Sequence, residues 1–123
     1  MNKILVVDDD NPSLENVARF LRLKGYQVEV ASNGYEAGQL IDKTEFDLVL
    51  SDLIMPGVNG LDLLKRTRSI AREVPVVLMS AFPGIEVTQI FERGAADFIP
   101  KPLDLDKLLS QLKRVLEQKS GLG

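Results

Sequence analysis

Short apolar runs alternate with longer segments of helical periodicity along the chain. The first run, residues 4–7, is continuous and rich in β-branched side chains, which is typical of a strand buried on both faces. Apolar residues then recur at helical spacing and predict an amphipathic helix: Leu14, Val17, Ala18 and Leu21. Asn11 is expected to cap this helix, with Pro12 as its first residue, and Gly25 suits the left-handed stop that follows.

The same alternation continues to the end of the chain. Further strands are predicted at residues 28–31, 48–50, 76–79 and 98–99, and further helices at residues 35–42, 61–70, 85–93 and along an apolar stripe over 105–116. Five strands that alternate with five helices predict a single α/β domain, a (βα)5 doubly wound parallel sheet with helices on both faces. Right-handed crossovers and cover on both faces favour the strand order 2-1-3-4-5.

Residues with usable chemistry follow the strands that would line one pocket. In a doubly wound sheet, ligands bind beyond the carboxyl ends of the strands, where the strand order reverses. The residues at those ends are Asp8, Asp9 and Asp10 after strand 1, Asp52 after strand 3, Ser80 after strand 4 and Lys101 after strand 5. Each group alone has an ordinary interpretation as a turn, a cap or a polar loop. Their joint placement on four contiguous strands favours a functional site.

Missing residue types narrow the chemistry of this site. The 123-residue chain has no cysteine and no histidine, which excludes disulfides, thiolate or imidazole zinc sites and any triad with a histidine base. Oxygen ligands alone favour a hard cation, Mg²⁺ or Mn²⁺. The hydrophobic fraction of 45% is enough for a buried core. No apolar run approaches the roughly 18 residues of a membrane span.

The charge of the chain argues against a general nucleic-acid surface, since the net charge is −3. Arg66, Arg68 and Arg72 cluster locally and are interpreted as a solvated helix face. The N-terminus enters the first strand without the anatomy of a signal peptide. A cytoplasmic protein is therefore expected.

Carboxylates that end strands 1 and 3 would lie within reach of one cation, because neighbouring strands are about 4.8 Å apart. Two carboxylates after strand 1, Asp52 and the main-chain carbonyl of Ile54 would suit Mg²⁺, which also relieves the repulsion between the acids. A carboxylate such as Asp52 can attack phosphorus and form an aspartyl-phosphate. Lys101 and Ser80 would then stabilise the charged phosphoryl oxygens.

At these positions the chain resembles the receiver domains of bacterial response regulators, the chemotaxis-regulator-like proteins of two-component signalling. The matching motifs are Val6-Val7-Asp8-Asp9, Ser51-Asp52-Leu53-Ile54-Met55-Pro56-Gly57, Asn59-Gly60, Ser80-Ala81, Gly94-Ala95-Ala96-Asp97-Phe98 and Lys101-Pro102. They follow the family's order, near its spacing, across essentially the whole chain. The resemblance implies a flavodoxin-like receiver domain over residues 1–119, with 120–123 as a linker or expression remnant. We expect a fragment of a larger regulator rather than a stand-alone protein.

The resemblance also implies a metal site. Asp8 and Asp9 would position Mg²⁺, for which Mn²⁺ could substitute, with Asp9 as a direct ligand and Asp8 acting through water. Asp52 would be both a metal ligand and the phosphoacceptor. Ile54 would contribute its main-chain carbonyl.

The resemblance also implies roles for three further residues, of which Ser80 and Phe98 would form the switch that the family uses. Ser80 would turn its hydroxyl to the phosphoryl group, and Lys101 would pair with that group. The peptide bond between Lys101 and Pro102 would be cis. Phe98 stands where the family carries a rotameric aromatic residue, often tyrosine, which puts any switch that relies on a phenol hydroxyl in doubt.

The implied function is a phosphoryl relay. A sensor histidine kinase or a phosphotransfer protein would phosphorylate Asp52. The face formed by the fourth helix, fifth strand and fifth helix would then change shape and control an unidentified effector domain or protein. Dimerisation through that face is common in the family, and no direct binding of nucleic acid or membrane by this domain is implied. The chain would accept a phosphoryl group and lose it by autodephosphorylation, without acting as a turnover enzyme.

Three alternatives stay open. A pseudo-receiver would use the same fold for docking without phosphorylation. A phosphatase of the haloacid-dehalogenase type would use Asp8-x-Asp10, but Asn11-Pro12 departs from its pattern and Asp52 stays unexplained. A flavodoxin-type cofactor binder shares the strand order, but three aspartates after strand 1 would repel a phosphate.

Overall fold

Strands and helices alternate along residues 2–70, 73–81 and 87–121, which are the residues that the computed structural model describes. The strands are β1 (Lys3–Val7), β2 (Gln27–Ala31), β3 (Leu48–Asp52), β4 (Val76–Ser80) and β5 (Asp97–Pro100). The helices are α1 (Asn11–Leu23), α2 (Gly34–Lys43), α3 (Gly60–Ile70), α4 (Val87–Glu92) and α5 (Leu105–Gly121). Residues 85 and 86 of the predicted fourth helix lie outside the described residues, and α5 continues into the predicted tail.

The strands form one parallel sheet in the order β2-β1-β3-β4-β5, which confirms the predicted fold. Its strand order reverses between β1 and β3, where Val7 pairs with Ser51. The next residues along these two strands, Asp8 and Asp52, therefore leave the sheet side by side. On the other side of β3, Asp52 pairs with Met79, so Ser80 follows at the same end of the sheet.

Two apolar layers enclose the sheet, because the buried strands carry apolar residues on both faces. In β1, Ile4 and Val6 face the layer formed with α1 and α5, whereas Leu5 and Val7 face the layer formed with α2 and α3. All four of these side chains have zero exposed fraction, so the strand is fully desolvated. In the part of the chain that the structure describes, no helix combines the length and apolarity that a membrane crossing needs.

The first helix has Asp10 as its N-cap, one residue earlier than predicted. Asp10 has extended backbone angles (φ −90°, ψ 101°), and its side chain accepts a hydrogen bond from the Ser13 N–H at 3.3 Å. Asn11 therefore lies inside the helix and Pro12 in its first turn, where a missing N–H breaks no helical hydrogen bond. The prediction that Asn11 caps the helix is wrong, because the carboxylate of Asp10 accepts from the Ser13 N–H in the first turn.

The prediction of a solvated arginine face is wrong for Arg68. Arg66 is exposed and forms an ion pair with Asp42 of α2. The Arg68 side chain is partly buried and donates a hydrogen bond to the carbonyl of Val74, and burial lowers the pKa of its guanidinium group. It therefore ties α3 to the segment that leads into β4. Arg72 lies outside the described residues.

Candidate functional site

Three carboxylates meet where the strand order reverses. Asp8 follows β1, Asp9 comes next, and Asp52 ends β3. Each of them offers one oxygen, and these oxygens all lie within 4.8 Å of one another. Asp8 and Asp52 are buried, with 1% and 8% of their surface exposed, whereas Asp9 is open to solvent. The structure thus brings together the acidic residues that the sequence places at these strand ends.

Lys101, which directly follows β5 at the same end of the sheet, bridges two of these acids. Its Nζ atom lies 3.0 Å from Oδ2 of Asp8 and 3.2 Å from Oδ2 of Asp52. The main-chain N–H of Lys101 donates to the carbonyl of Ser80 at 2.9 Å, which holds the lysine beside the end of β4. The peptide bond between Lys101 and Pro102 is cis, as predicted.

The electrostatics of the site favour a bound cation. Burial raises the pKa of Asp52, and the negative charges of Asp8 and Asp9 raise it further, while Lys101 acts in the opposite direction. Burial lowers the pKa of Lys101, but hydrogen bonds and charges from Asp8 and Asp52 outweigh this effect and leave the pKa raised. Lys101 is therefore charged at neutral pH, and its single charge offsets only part of the acidic cluster.

The donor set of this cluster fits a hard divalent cation. Carboxylate oxygens at this spacing, one of them on the solvent-exposed Asp9, are what Mg²⁺ takes as ligands while it keeps several waters. The site is therefore consistent with Mg²⁺ binding.

The loop that follows Asp52 leads away from the acidic cluster and is fixed by main-chain hydrogen bonds. The N–H of Leu53 donates to the carbonyl of Met79 at 2.7 Å, and the N–H of Gly60 donates to the carbonyl of Leu53 at 2.8 Å. Met55 is buried, whereas Ile54 between these anchors is half-exposed. Ile54 therefore lies on the open side of the loop, and the role of its carbonyl as a metal ligand stays a prediction.

The two predicted switch residues lie on neighbouring strands. Ser80 ends β4, is almost fully buried, and pairs in register with Pro100 of β5. Phe98 lies two residues earlier on β5, pairs with Leu78, and packs against the apolar layer of α2 and α3. Phe98 is thus set back from the strand ends, with its ring against the core, and both switch roles stay predictions.

The fifth helix contributes a contact that sequence reasoning missed. The Nε2 atom of Gln111 donates to Oδ2 of Asp97 at 3.2 Å and to the main-chain carbonyl of Phe98 at 3.4 Å. Gln111 therefore fastens α5 to the strand that carries Phe98. No local signal marks this glutamine, because it is one of several polar residues on a helix with an apolar stripe.

Comparisons with known proteins identify the family to which the chain is similar. The family profile for the response regulator receiver domain matches residues 4–113. A curated relative, response regulator MprA from Mycobacterium sp. (strain KMS), is 36% identical over 119 residues, which cover 96% of this chain and 52% of the relative. The chain thus spans about half the length of the curated relatives it matches.

Solved structures match the whole fold. A CheY-like response regulator receiver domain protein from Methanospirillum hungatei JF-1 superimposes with a TM-score of 0.95 at 27% identity, covering 100% of this chain and 99% of that one. The response regulator protein TrrA from Thermotoga maritima, solved in complex with Mg²⁺ and BeF, has a TM-score of 0.85 at 29% identity, covering 94% and 99%. With its motifs, its strand order and a family profile over most of its length in agreement, the chain belongs to the response regulator receiver domain family of two-component signalling.

Proposed function

We propose that this receiver domain accepts a phosphoryl group on Asp52 beside a bound Mg²⁺. The observation that carries the proposal is the convergence of Asp8, Asp9 and Asp52 within 4.8 Å at one end of the sheet. Lys101 reaches two of the three from β5. A buried carboxylate beside both a cation site and an ammonium group has what a phosphoryl acceptor needs.

The metal would be held by Asp8, Asp9, Asp52 and the main-chain carbonyl of Ile54. Asp9 is exposed and suits direct ligation. Asp8 is engaged by Lys101 and accepts a hydrogen bond from the Asp10 N–H at 3.0 Å, so its contact with the ion would run through water. Bound Mg²⁺, or Mn²⁺ in its place, supplies positive charge that offsets the acids and the phosphoryl oxygens.

The reaction forms one bond and breaks one. An oxygen of the ionised Asp52 attacks phosphorus, and the bond between phosphorus and the donor breaks. When the donor is a phosphohistidine of a sensor kinase or phosphotransfer protein, the bonding electrons return to the imidazole nitrogen. Lys101 then pairs with a phosphoryl oxygen, and the Ser80 hydroxyl donates to another. Attack of water on the acyl phosphate restores Asp52, so the chain accepts and loses a phosphoryl group without turning over a separate substrate.

Phosphorylation would change the shape of the face formed by α4, β5 and α5. Movement of Ser80 toward the phosphoryl group would free space for Phe98, whose strand is bound to α5 by Gln111. The phenyl ring carries no hydroxyl, so the switch would depend on packing rather than on a phenol hydrogen bond. A cytoplasmic effector domain or partner protein, or a second copy of the chain, would read that face.

Incubation with acetyl phosphate and Mg²⁺, followed by intact mass measurement, tests the proposal. We expect an adduct of one phosphoryl group that disappears in Asp52→Asn and when a chelator removes the metal. Asp42→Asn, which changes an exposed acid on α2, is the matched control and should still be phosphorylated. Absence of the adduct, together with absence of amide shifts on adding beryllofluoride, would instead identify a pseudo-receiver that only docks. Turnover of small phosphate esters would favour the phosphatase alternative.

A further inference from the structure

Helix α2 meets the loop after Asp52 through a glycine that leaves no room for a side chain. Gly34 is the first residue of α2, and Asn33 caps it by accepting a hydrogen bond from the Glu36 N–H at 2.7 Å. A Cβ atom on Gly34 would lie 2.3 Å from the main-chain oxygen of Val58 and 2.7 Å from its Cβ. Since the nearest obstacle is a main-chain oxygen, any side chain at this position would displace either the loop or the helix.

The need for glycine at this position is one of space. Among the glycines that the structure describes, those with left-handed backbone angles are Gly25, Gly57 and Gly94, and Gly34 is not one of them. Alanine could therefore adopt the backbone conformation of Gly34 without strain, and the three atoms nearest to its methyl group would all belong to Val58.

The remaining sides of the loop are already restrained. Leu53 is held by the carbonyl of Met79, and the N–H of Gly60 closes the loop on the carbonyl of Leu53. Asn59 and Asp62 cap the start of α3 reciprocally, each accepting from the main-chain N–H of the other at 3.0–3.1 Å. Contact with α2 at Val58 is a further restraint on a loop that also carries Ile54, and it comes from a different part of the fold.

We propose that Gly34 is a positioning residue for the metal site: by letting α2 pack directly on Val58, it sets the position of the loop that carries the Ile54 carbonyl. The inference rests on the proposed function, and specifically on the Ile54 carbonyl as a ligand of Mg²⁺. Gly34 acts only through Val58 and the loop, and it touches no reacting atom.

A pair of alanine variants in one helix tests the inference. Gly34→Ala would push on the loop backbone, whereas Gly38→Ala, one turn further along the same buried face, would meet the flexible side chain of Arg66 at 3.0–3.3 Å. We expect Gly34→Ala to bind Mg²⁺ about tenfold more weakly, as is typical when a residue that orients a ligand is changed. Gly38→Ala should bind as wild type does. Mg²⁺ titration followed by amide NMR shifts measures both affinities without relying on phosphorylation.

A metal-free comparison separates loop displacement from general destabilisation. The amide shifts of Gly34→Ala should differ from wild type mainly over residues 53–59 and the start of α2, and those of Gly38→Ala mainly around Arg66. Val58→Gly provides a second route if Gly34→Ala does not fold, because it removes the side chain that packs on α2 and leaves the helix unchanged. It should also weaken Mg²⁺ binding.

The possible outcomes are distinct. Wild-type Mg²⁺ affinity in Gly34→Ala or in Val58→Gly, or an equal loss in both alanine variants, would overturn the positioning role. A wild-type protein that binds no Mg²⁺ would refute the proposed function itself, before any variant is compared. Selective loss in Gly34→Ala, with Gly38→Ala unaffected, would support the inference.

Discussion

The Nζ atom of Lys101 lies 3.2 Å from Oδ2 of Asp52, although 49 residues separate the two along the chain. The same ammonium lies 3.0 Å from Oδ2 of Asp8. The positive charge of Lys101 is thus shared between two buried carboxylates. A divalent cation held by the acidic cluster would compensate the same negative charges. We therefore expect Lys101 and the metal to affect each other's contribution to the stability of the folded protein.

Replacing Lys101 with methionine tests this sharing of charge. Two buried carboxylates would lose their partner, so we expect the metal-free variant to lose about 1–3 kcal/mol of unfolding free energy. Mg²⁺ should bind the variant more tightly and recover part of that loss, because no ammonium offsets the acids. Urea unfolding with and without Mg²⁺ measures both effects. Lys65→Met, on the exposed face of α3, is the control. If Mg²⁺ raised the free energy of unfolding equally in wild type, Lys101→Met and Lys65→Met, the prediction would be contradicted.

The stability of the metal-free protein should depend on pH through Asp52. Burial, followed by the charges of Asp8 and Asp9, raises the pKa of Asp52 in the folded protein in spite of Lys101. Between its ordinary and raised pKa, the folded state binds more protons than the unfolded state, so the free energy of unfolding falls as pH rises. Asp52→Asn removes this loss and should stabilise the metal-free protein at neutral pH.

Urea unfolding over a pH series, without metal, measures this effect. The advantage of Asp52→Asn over wild type should shrink as pH falls toward the ordinary pKa of an aspartate. Asp42→Asn, which changes an exposed acid, serves as the control and should show no such advantage. A constant difference between Asp52→Asn and wild type across the series would argue against a raised pKa.

The cap of α1 can be assigned by three substitutions. Asp10→Ala should lower the free energy of unfolding by about 1 kcal/mol, because the Ser13 N–H loses its acceptor. Asp10→Asn keeps an acceptor oxygen without the charge and should cost much less. Asn11→Ala should cost little, because Asn11 lies inside the helix. If Asn11→Ala proved the costliest of the three in chemical unfolding, the cap would belong to Asn11 instead.

Gln111 is expected to matter for the link between α5 and β5. Gln111→Ala removes the donor to Asp97 and to the Phe98 carbonyl, and it should lower the free energy of unfolding by about 1 kcal/mol. The amide signals of Asp97 and Phe98 should shift, while the adduct on Asp52 should still form. Gln118→Ala, an exposed residue on the same helix, should leave all of these unchanged. Unaltered signals on β5 in Gln111→Ala would show that the contact is absent in solution.

Local pattern was enough to predict the elements of this fold, because each is encoded over a few consecutive residues. The continuous apolar run at residues 4–7 differs from the helical spacing of Leu14, Val17 and Leu21 whatever the rest of the chain does. Right-handed crossovers then leave few sheet orders. Because carboxyl ends of parallel strands meet at one edge, the sequence alone predicts that Asp8 and Asp52 lie near each other.

The pattern of apolar and polar residues does not predict contacts between segments that are distant in the sequence. The partial burial of Arg68, the hydrogen bonds of Gln111 to β5 and the packing of Gly34 on Val58 all depend on how separate elements approach one another. The wrong prediction of Asn11 as the N-cap of α1 has a related cause. Asp10 and Asn11 are both residue types that favour this position, and only the path of the backbone after β1 selects between them.

The sequence by itself therefore determined the order of strands and helices, the end of the sheet at which the candidate site lies, and the residue types available there. Only the tertiary structure decided that Lys101 contacts both Asp8 and Asp52, and that α2 restrains the loop beside them. The physical reason is one of scale: periodicity and strand pairing are set by neighbouring residues. Hydrogen bonds and steric contacts at the site require ångström positions of atoms that are far apart in the chain.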